Sequence, residues 1–234
     1  MRVLAIGAHP DDLEIQCAGT LAKCVKRGDE VYACHLSDGD LGHVVIPPEE
    51  LGKIRREEAK NAGAIGGVKV IWGGFHDLDI FADNREARDK VAEIIREIRP
   101  DFMITHSPDD YMPDHTATSK LVFDASFAAT IPHYPSKIKE PIGVVPIFYM
   151  EPMSGINFQP TEYVDITDEI EIKEKMFACH ESQVKWLLDH DNVDYFDKIK
   201  TFAKFRGFQC GVTYAEAFSC CMADGKLRAK RLLP

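Results

Sequence analysis

Short apolar runs alternate along this chain with stretches whose apolar residues recur at helical spacing, and clusters of Asp, His and Ser sit at the joins. RVLAIGAH is a short apolar run ending in a polar loop, which predicts a strand. Across residues 16–28, Cys17, Leu21, Cys24 and Val25 fall at helical spacing, and Gly28 is a stop. EVYACHLSDG repeats the strand pattern. Pro47 and Pro48 then open a charged stretch, KIRREEAKNAGAIGG, whose composition favours helix. VKVIWGG predicts a third strand. Asn84 can cap a helix in which Ala87, Val91, Ile94, Ile95 and Ile98 form one stripe before Pro100, and DFMITHS predicts a fourth strand. Beyond residue 130 the pattern is less regular, with a strand at VPIFYM and helices near 168–182 and 193–206.

Apolar runs alternating with amphipathic helices imply βαβ units, hence an α/β fold with a Rossmann-like parallel sheet covered by helices on both faces. The 234 residues are 45% hydrophobic, enough for one sizeable core, and no linker or repeat divides them, so residues 1–234 read as a single domain. In such sheets ligands gather beyond the carboxyl ends of the strands. The clusters HPDDLE, SDGD, FHDLD and HSPDDYMPDH each follow a predicted strand and should meet at that edge.

The net charge of −10 narrows the choice of partner, because such a surface repels phosphate backbones and anionic lipid. KLRAKR is the one basic run and reads as a solvated tail, so neither nucleic acid nor a membrane surface is an expected partner. The first apolar stretch is too short for a signal peptide, and no segment has the ~18 uncharged apolar residues of a membrane helix. The expected location is cytoplasmic. The seven cysteines are scattered and read as reduced packing thiols.

HPDD places His9, Asp11 and Asp12 in the first strand-to-helix turn, and the last cluster brings His115. Two imidazoles and a carboxylate with an open fourth position is a recurrent plan for catalytic zinc, which makes a water acidic near neutral pH. A neighbouring carboxylate can take that water's proton, and on chemistry alone Asp11 or Asp12 could be either ligand or base. The plainer reading of HPDD is a polar turn whose Asp caps the next helix.

AIGAHPDDLEIQCAGTLA, RREEAKNAGAIGG, YMPDHTATSKLV, KEKMFACHESQ and GVTYAEAF, in that order, resemble the motifs of the PIG-L or LmbE-like N-deacetylases, a family that includes enzymes acting on N-acetylglucosaminyl compounds. The resemblance implies that His9, Asp12 and His115 hold one Zn2+ per chain and that Asp11 is the general base. It also implies that Arg55 holds a polar group of a small N-acylated substrate, with Asp77 near the same pocket. Assembly into a homo-oligomer is compatible with such a chain. One position departs from the pattern: Met112 stands where family members commonly carry an oxyanion-stabilising His, and Tyr111, His106 and His180 are the candidate substitutes. Two rival readings are a hydratase or lyase acting on an unsaturated dicarboxylate, and a metal-dependent binding module in which Met112 marks lost catalysis. The intact HPDDLE favours the deacetylase.

Overall fold

A computed structural model describes residues 1–155 and 157–234. Strand β1 (Arg2–Gly7) pairs in parallel with β2 (Glu30–Ser37) on one side and β4 (Phe102–His106) on the other. β3 (Lys69–Phe75) adds to β2, and β5 (Ile147–Met150) adds to β4, both again in parallel. β6 (Glu162–Asp165) and β7 (Ala215–Cys220) complete a seven-stranded sheet ordered β3-β2-β1-β4-β5-β7-β6.

Alternate residues of the central strands feed two separate cores, as expected for a sheet covered on both faces. Val3 and Ala5 pack with Leu13, Leu21, Ala62 and Met176, from helices α1 (Asp12–Gln16), α2 (Ala18–Lys26), α3 (Pro48–Gly66) and α6 (Ile170–Ala178). Leu4 and Ile6 pack with Val91, Ile95, Leu121 and Val122 from α4 (Arg85–Ile98) and α5 (Pro113–Ala128). Asn84 caps α4 as its sequence suggests, its side chain accepting from the Glu86 and Ala87 amides. The remaining helices are α7 (Glu181–Asp191) and α8 (Tyr195–Cys210).

Three details differ from the sequence pattern. The helix expected over 16–28 is α2, Ala18–Lys26, and a short helix the sequence pattern did not show, α1, precedes it across a break at Cys17, whose φ of −143° leaves the helical region. The helix expected near 168–182 ends at Ala178, and α7 begins beyond His180. The sheet is parallel except for β7, which runs antiparallel to both of its neighbours. β7 also brings Glu216 to the start of α2, where the buried carboxylate accepts from the Gly19 and Thr20 amides and pairs with Lys173 of α6 at 2.5 Å. Two of the C-terminal motifs thus brace α2, the second helix after HPDD. Among the described residues, no helix is long and apolar enough to cross a membrane.

Candidate active-site cleft and metal centre

The four polar clusters converge beyond the carboxyl ends of β1 to β4, at an open cleft of about 430 Å³ that His9, Asp11, Asp12, Arg55, Asp77 and His115 all line. The turn from β1 into α1 is strained at its chemically richest point. Asp11 has φ 112° and ψ −26°, in the left-handed half of backbone space that side chains avoid at a cost of about 1–3 kcal/mol. Its side chain makes no helix-capping bond, so its carboxylate is not used as a cap. Asp12 instead accepts from the His9 amide at 2.7 Å and closes the turn.

His9, Asp12 and His115 offer ligand atoms within 4.8 Å of one another. His115 Nε2 lies 3.1 Å from Asp12 Oδ1, yet it is buried and has no hydrogen-bond partner. The other nitrogen of each imidazole meets a carboxylate. His9 Nε2 is 3.1 Å from Asp114 Oδ2, and His115 Nδ1 is 3.1 Å from Asp110 Oδ2. Donation of N–H to an outer carboxylate leaves the opposite nitrogen as a lone pair, the arrangement that orients metal-binding histidines. Burial disfavours charge on both rings, but on His9 the bonds to Asp114 and Asp12 outweigh it and raise the pKa to about 10. On His115 the Asp12 charge and the Asp110 bond raise it to about 9. Burial also acts against charge on Asp12, but His115 and His106 hold its carboxyl well below the ordinary range. A site that draws protons this strongly is one that favours a cation, and a divalent metal fits its donors.

Asp11 sits beside this set with a different environment. Burial raises its pKa to about 6, while Arg55, 3.2 Å away, works in the opposite direction. Arg55 is itself buried, donating to Gly39 O at 2.9 Å and to Pro10 O. Gly39 makes that fit possible: it has φ 66°, and a Cβ there would lie 2.3 Å from the guanidinium. Asp77 accepts from Ser37 Oγ at 2.6 Å and from the Leu41 amide at 3.0 Å, and stands 3.8 Å from His9 Nε2.

Of the three candidates to replace the histidine missing at Met112, only Tyr111 lines the cleft. His106 is fully buried, with its ring stacked 3.9 Å from that of His115 and its Nε2 accepting from the Ala8 amide. His180 is equally buried, against Glu14 at 3.4 Å. The sequence reading did not single out Asp110, and it gave Asp114 no contact with His9. Their placement five and one residues before His115 was the available signal. It also missed Gln183, Trp186, Leu187 and Tyr195, which α7 and α8 bring to the far wall.

The family model described as PIG-L, GlcNAc-PI de-N-acetylase, matches residues 4–126. Diacetylchitobiose deacetylase of Thermococcus kodakarensis is 31% identical over 228 residues, covering 92% of this chain and 81% of its own length. A probable N-acetyl-alpha-D-glucosaminyl L-malate deacetylase 2 of Bacillus cereus is 29% identical, over 80% of this chain and 86% of its own. Among solved structures, N,N'-diacetylchitobiose deacetylase from Pyrococcus horikoshii superposes with a TM-score of 0.81 at 27% identity, covering 94% of this chain and 83% of that one. GalB, a 4-carboxy-2-hydroxymuconate hydratase from Pseudomonas putida KT2440, has a TM-score of 0.84 over 100% of this chain and 99% of its own, but at 22% identity this is a likeness of fold alone.

Proposed function

The chain belongs to the PIG-L family, and from that premise we propose that it is a zinc-dependent hydrolase removing an N-acyl group, N-acetyl foremost, from an amino-sugar-like small molecule. The observation that carries this reading is the three-residue metal set His9, Asp12 and His115 with Asp11, a carboxylate of different character, beside it. The deacetylase relatives support the reaction class.

Zinc bound by His9, Asp12 and His115 would polarise the acyl carbonyl and lower the pKa of a water molecule towards neutrality. Asp11 is the general base: it accepts a proton from the attacking water as the new carbon–oxygen bond forms. Its raised pKa suits this, since a base works best when its pKa lies near the working pH. Arg55 orients Asp11 and keeps its carboxylate charged before the reaction. Protonated Asp11 is then the nearest acid to the departing amine and returns the proton as the carbon–nitrogen bond breaks. Tyr111 donates its phenolic hydrogen to the oxyanion, and Arg55 and Asp77 form the polar wall against which the substrate lies.

The test is amine and acetate release from acetylated amino sugars by the zinc-loaded protein, together with elemental analysis. One zinc per chain is expected. Asp11→Asn should keep the metal and lose about 10²–10⁴-fold in turnover, whereas Asp12→Ala should lose the metal. Reversed phenotypes would overturn the assignment of roles. Hydration of an unsaturated dicarboxylate without amine release would replace the deacetylase with the hydratase, and metal binding without either activity would leave a binding module.

A further inference from the structure

The basic run KLRAKR, residues 226–231, is not the solvated tail its composition suggests. Lys226 is 5% exposed, and Leu232 and Leu233 just beyond the run are buried, so the segment folds back onto the sheet. It meets the sheet near Phe148 of β5, Glu162 at the start of β6 and Cys220 at the end of the antiparallel β7. These lie at the amino ends of β5 and β6, the edge opposite the one that carries the metal-binding residues. Between run and sheet is a pocket of about 250 Å³ lined by Lys226, Arg228, Lys230 and Arg231. Among the described residues lining it, Glu162 is the one carboxylate.

In a chain of net charge −10, four cations around one small pocket are a local surplus. Among the described residues, no side-chain carboxylate pairs with any of them. Lys226 Nζ donates to Ser126 Oγ at 2.6 Å and to Val145 O at 3.1 Å, which uses two of its three N–H donors. Arg228 donates to Gly225 O at 2.7 Å, to Leu227 O at 3.0 Å and to Val144 O. Arg231 donates to Tyr163 O at 2.6 Å and to Pro234 O at 3.3 Å. These bonds hold each guanidinium in place and leave it N–H donors to spare. Lys226 is the telling member, because an ammonium buried without a counter-ion is costly. Burial lowers its pKa to about 8, and the Arg228 charge acts in the same direction.

The lining selects the ligand. A single carboxylate would leave most of this positive charge unmatched, whereas a phosphate monoester carries about −1.5 to −2 near neutral pH and offers three acceptor oxygens. Guanidinium groups match such oxygens in pairs. Beside the cations, Pro146, Phe148, Leu232 and Leu233 give an apolar floor suited to a carbon body. The pocket is smaller than the roughly 300–1,000 Å³ of a drug-sized site, and an acidic chain is repelled by an anionic bilayer, so the ligand is small and soluble. We propose that this pocket is a binding site for a small soluble phosphate monoester, with Lys226, Arg228 and Arg231 on the phosphate and Phe148 and Leu232 against its organic part. The site is separate from the cleft, and the proposal stands whether or not the protein is a deacetylase.

Isothermal titration calorimetry on the full-length protein supplied with zinc tests this, with phenyl phosphate as the probe and benzoate as the singly charged control. Phenyl phosphate should bind at one equivalent per chain and about tenfold more tightly than benzoate, since its dianion engages more of the charged donors. Arg228→Gln combined with Arg231→Gln, both at exposed positions, should weaken phenyl phosphate binding by about tenfold or more while leaving the thermal unfolding midpoint little changed. Lys226→Met should weaken it as well. His115→Ala removes a proposed metal ligand at the opposite edge and should leave the affinity unaltered. Position is read by alkylation of Cys220, which lines the pocket: phenyl phosphate should slow its reaction with iodoacetamide in the wild type and not in the double arginine variant. Absence of binding, undiminished binding in the double arginine variant, or a benzoate affinity equal to that of phenyl phosphate overturns the site. Binding that disappears in His115→Ala also overturns it, by placing the phosphate at the metal centre. Association with phosphatidic acid vesicles without any response to phenyl phosphate would replace the soluble ligand with a membrane surface and overturn it too.

Discussion

His9 Nε2 and Asp114 Oδ2 lie 3.1 Å apart, which links a predicted metal ligand to the residue immediately before another. The same Asp114 oxygen accepts from the Leu78 amide at 2.8 Å, so one carboxylate fixes both the His9 ring and the loop carrying Asp77. Loss of such an outer partner typically weakens metal binding by about 10–100-fold. Asp114→Ala should show a loss of that size in zinc competition against a chelator, with unchanged helix content. Asp110→Ala should do the same through His115. Unaltered zinc affinity in both variants would mean that the ligand rings are held by packing alone.

Much of this arrangement was legible in the chain, and the reasons differ by element. β1 and β4 are buried on both faces, so they read as continuous apolar runs, and the Asn84 cap and the Val91–Ile95–Ile98 stripe mark α4 directly. β7 was not legible because AEAFSC is rich in Ala and Ser, and its burial comes from neighbours β5 and β6, distant in sequence. His9, Asp12 and His115 stand out because their motifs are compact. Which nitrogen each ring keeps free depends on Asp114 and Asp110, and that is a matter of three-dimensional geometry. The aromatic wall was hidden for the same reason, since the Gln183 side chain that ties α7 to the loop after β2 donates to Gly42 O, 141 residues away.

The Lys173–Glu216 pair supports the site from below. Both side chains are buried, and Glu216 also satisfies two amides at the start of α2. Removing one member leaves the other charge buried and unpaired, which costs about 3–5 kcal/mol. Glu216→Gln and Lys173→Met should each lower the unfolding free energy by about that much in urea titrations. The double variant should lose markedly less than the two losses added together. Full additivity would show that the two charges do not interact.

Lys226 predicts a pH dependence of stability. Its ammonium is buried, donating to Ser126 Oγ at 2.6 Å and Val145 O at 3.1 Å, and burial lowers its pKa from 10.5 to about 8. Below about pH 8 both folded and unfolded chains carry the proton, and the folded state bears the full desolvation cost. Between about 8 and 10.5 the unfolded chain binds more protons, so this residue's contribution to stability rises with pH. The upper bound is on the order of 3 kcal/mol. Lys226→Met removes the effect, so the stability of the wild type relative to the variant should rise across that window. A difference that stays flat from pH 7 to 10.5 would contradict the lowered pKa.

The departure at Met112 sets the sharpest catalytic question. Met112 lines the cleft but cannot donate a hydrogen bond, while the Tyr111 ring stands edge-on to His115 with centroids 6.2 Å apart. Burial, together with the Tyr195 hydroxyl and the Asp110 charge, pushes the Tyr111 phenol up to about 12, so it keeps its proton throughout the working range. A single oxyanion donor is worth roughly 10²–10³ in kcat. Tyr111→Phe should therefore lower kcat towards that extent with little change in KM, the signature of an interaction made in the transition state. His106→Ala and His180→Ala act on groups with no access to the cleft and should not reproduce this split. Wild-type kcat in Tyr111→Phe, together with a rise in Met112→His, would mean that the metal stabilises the oxyanion without help from this tyrosine.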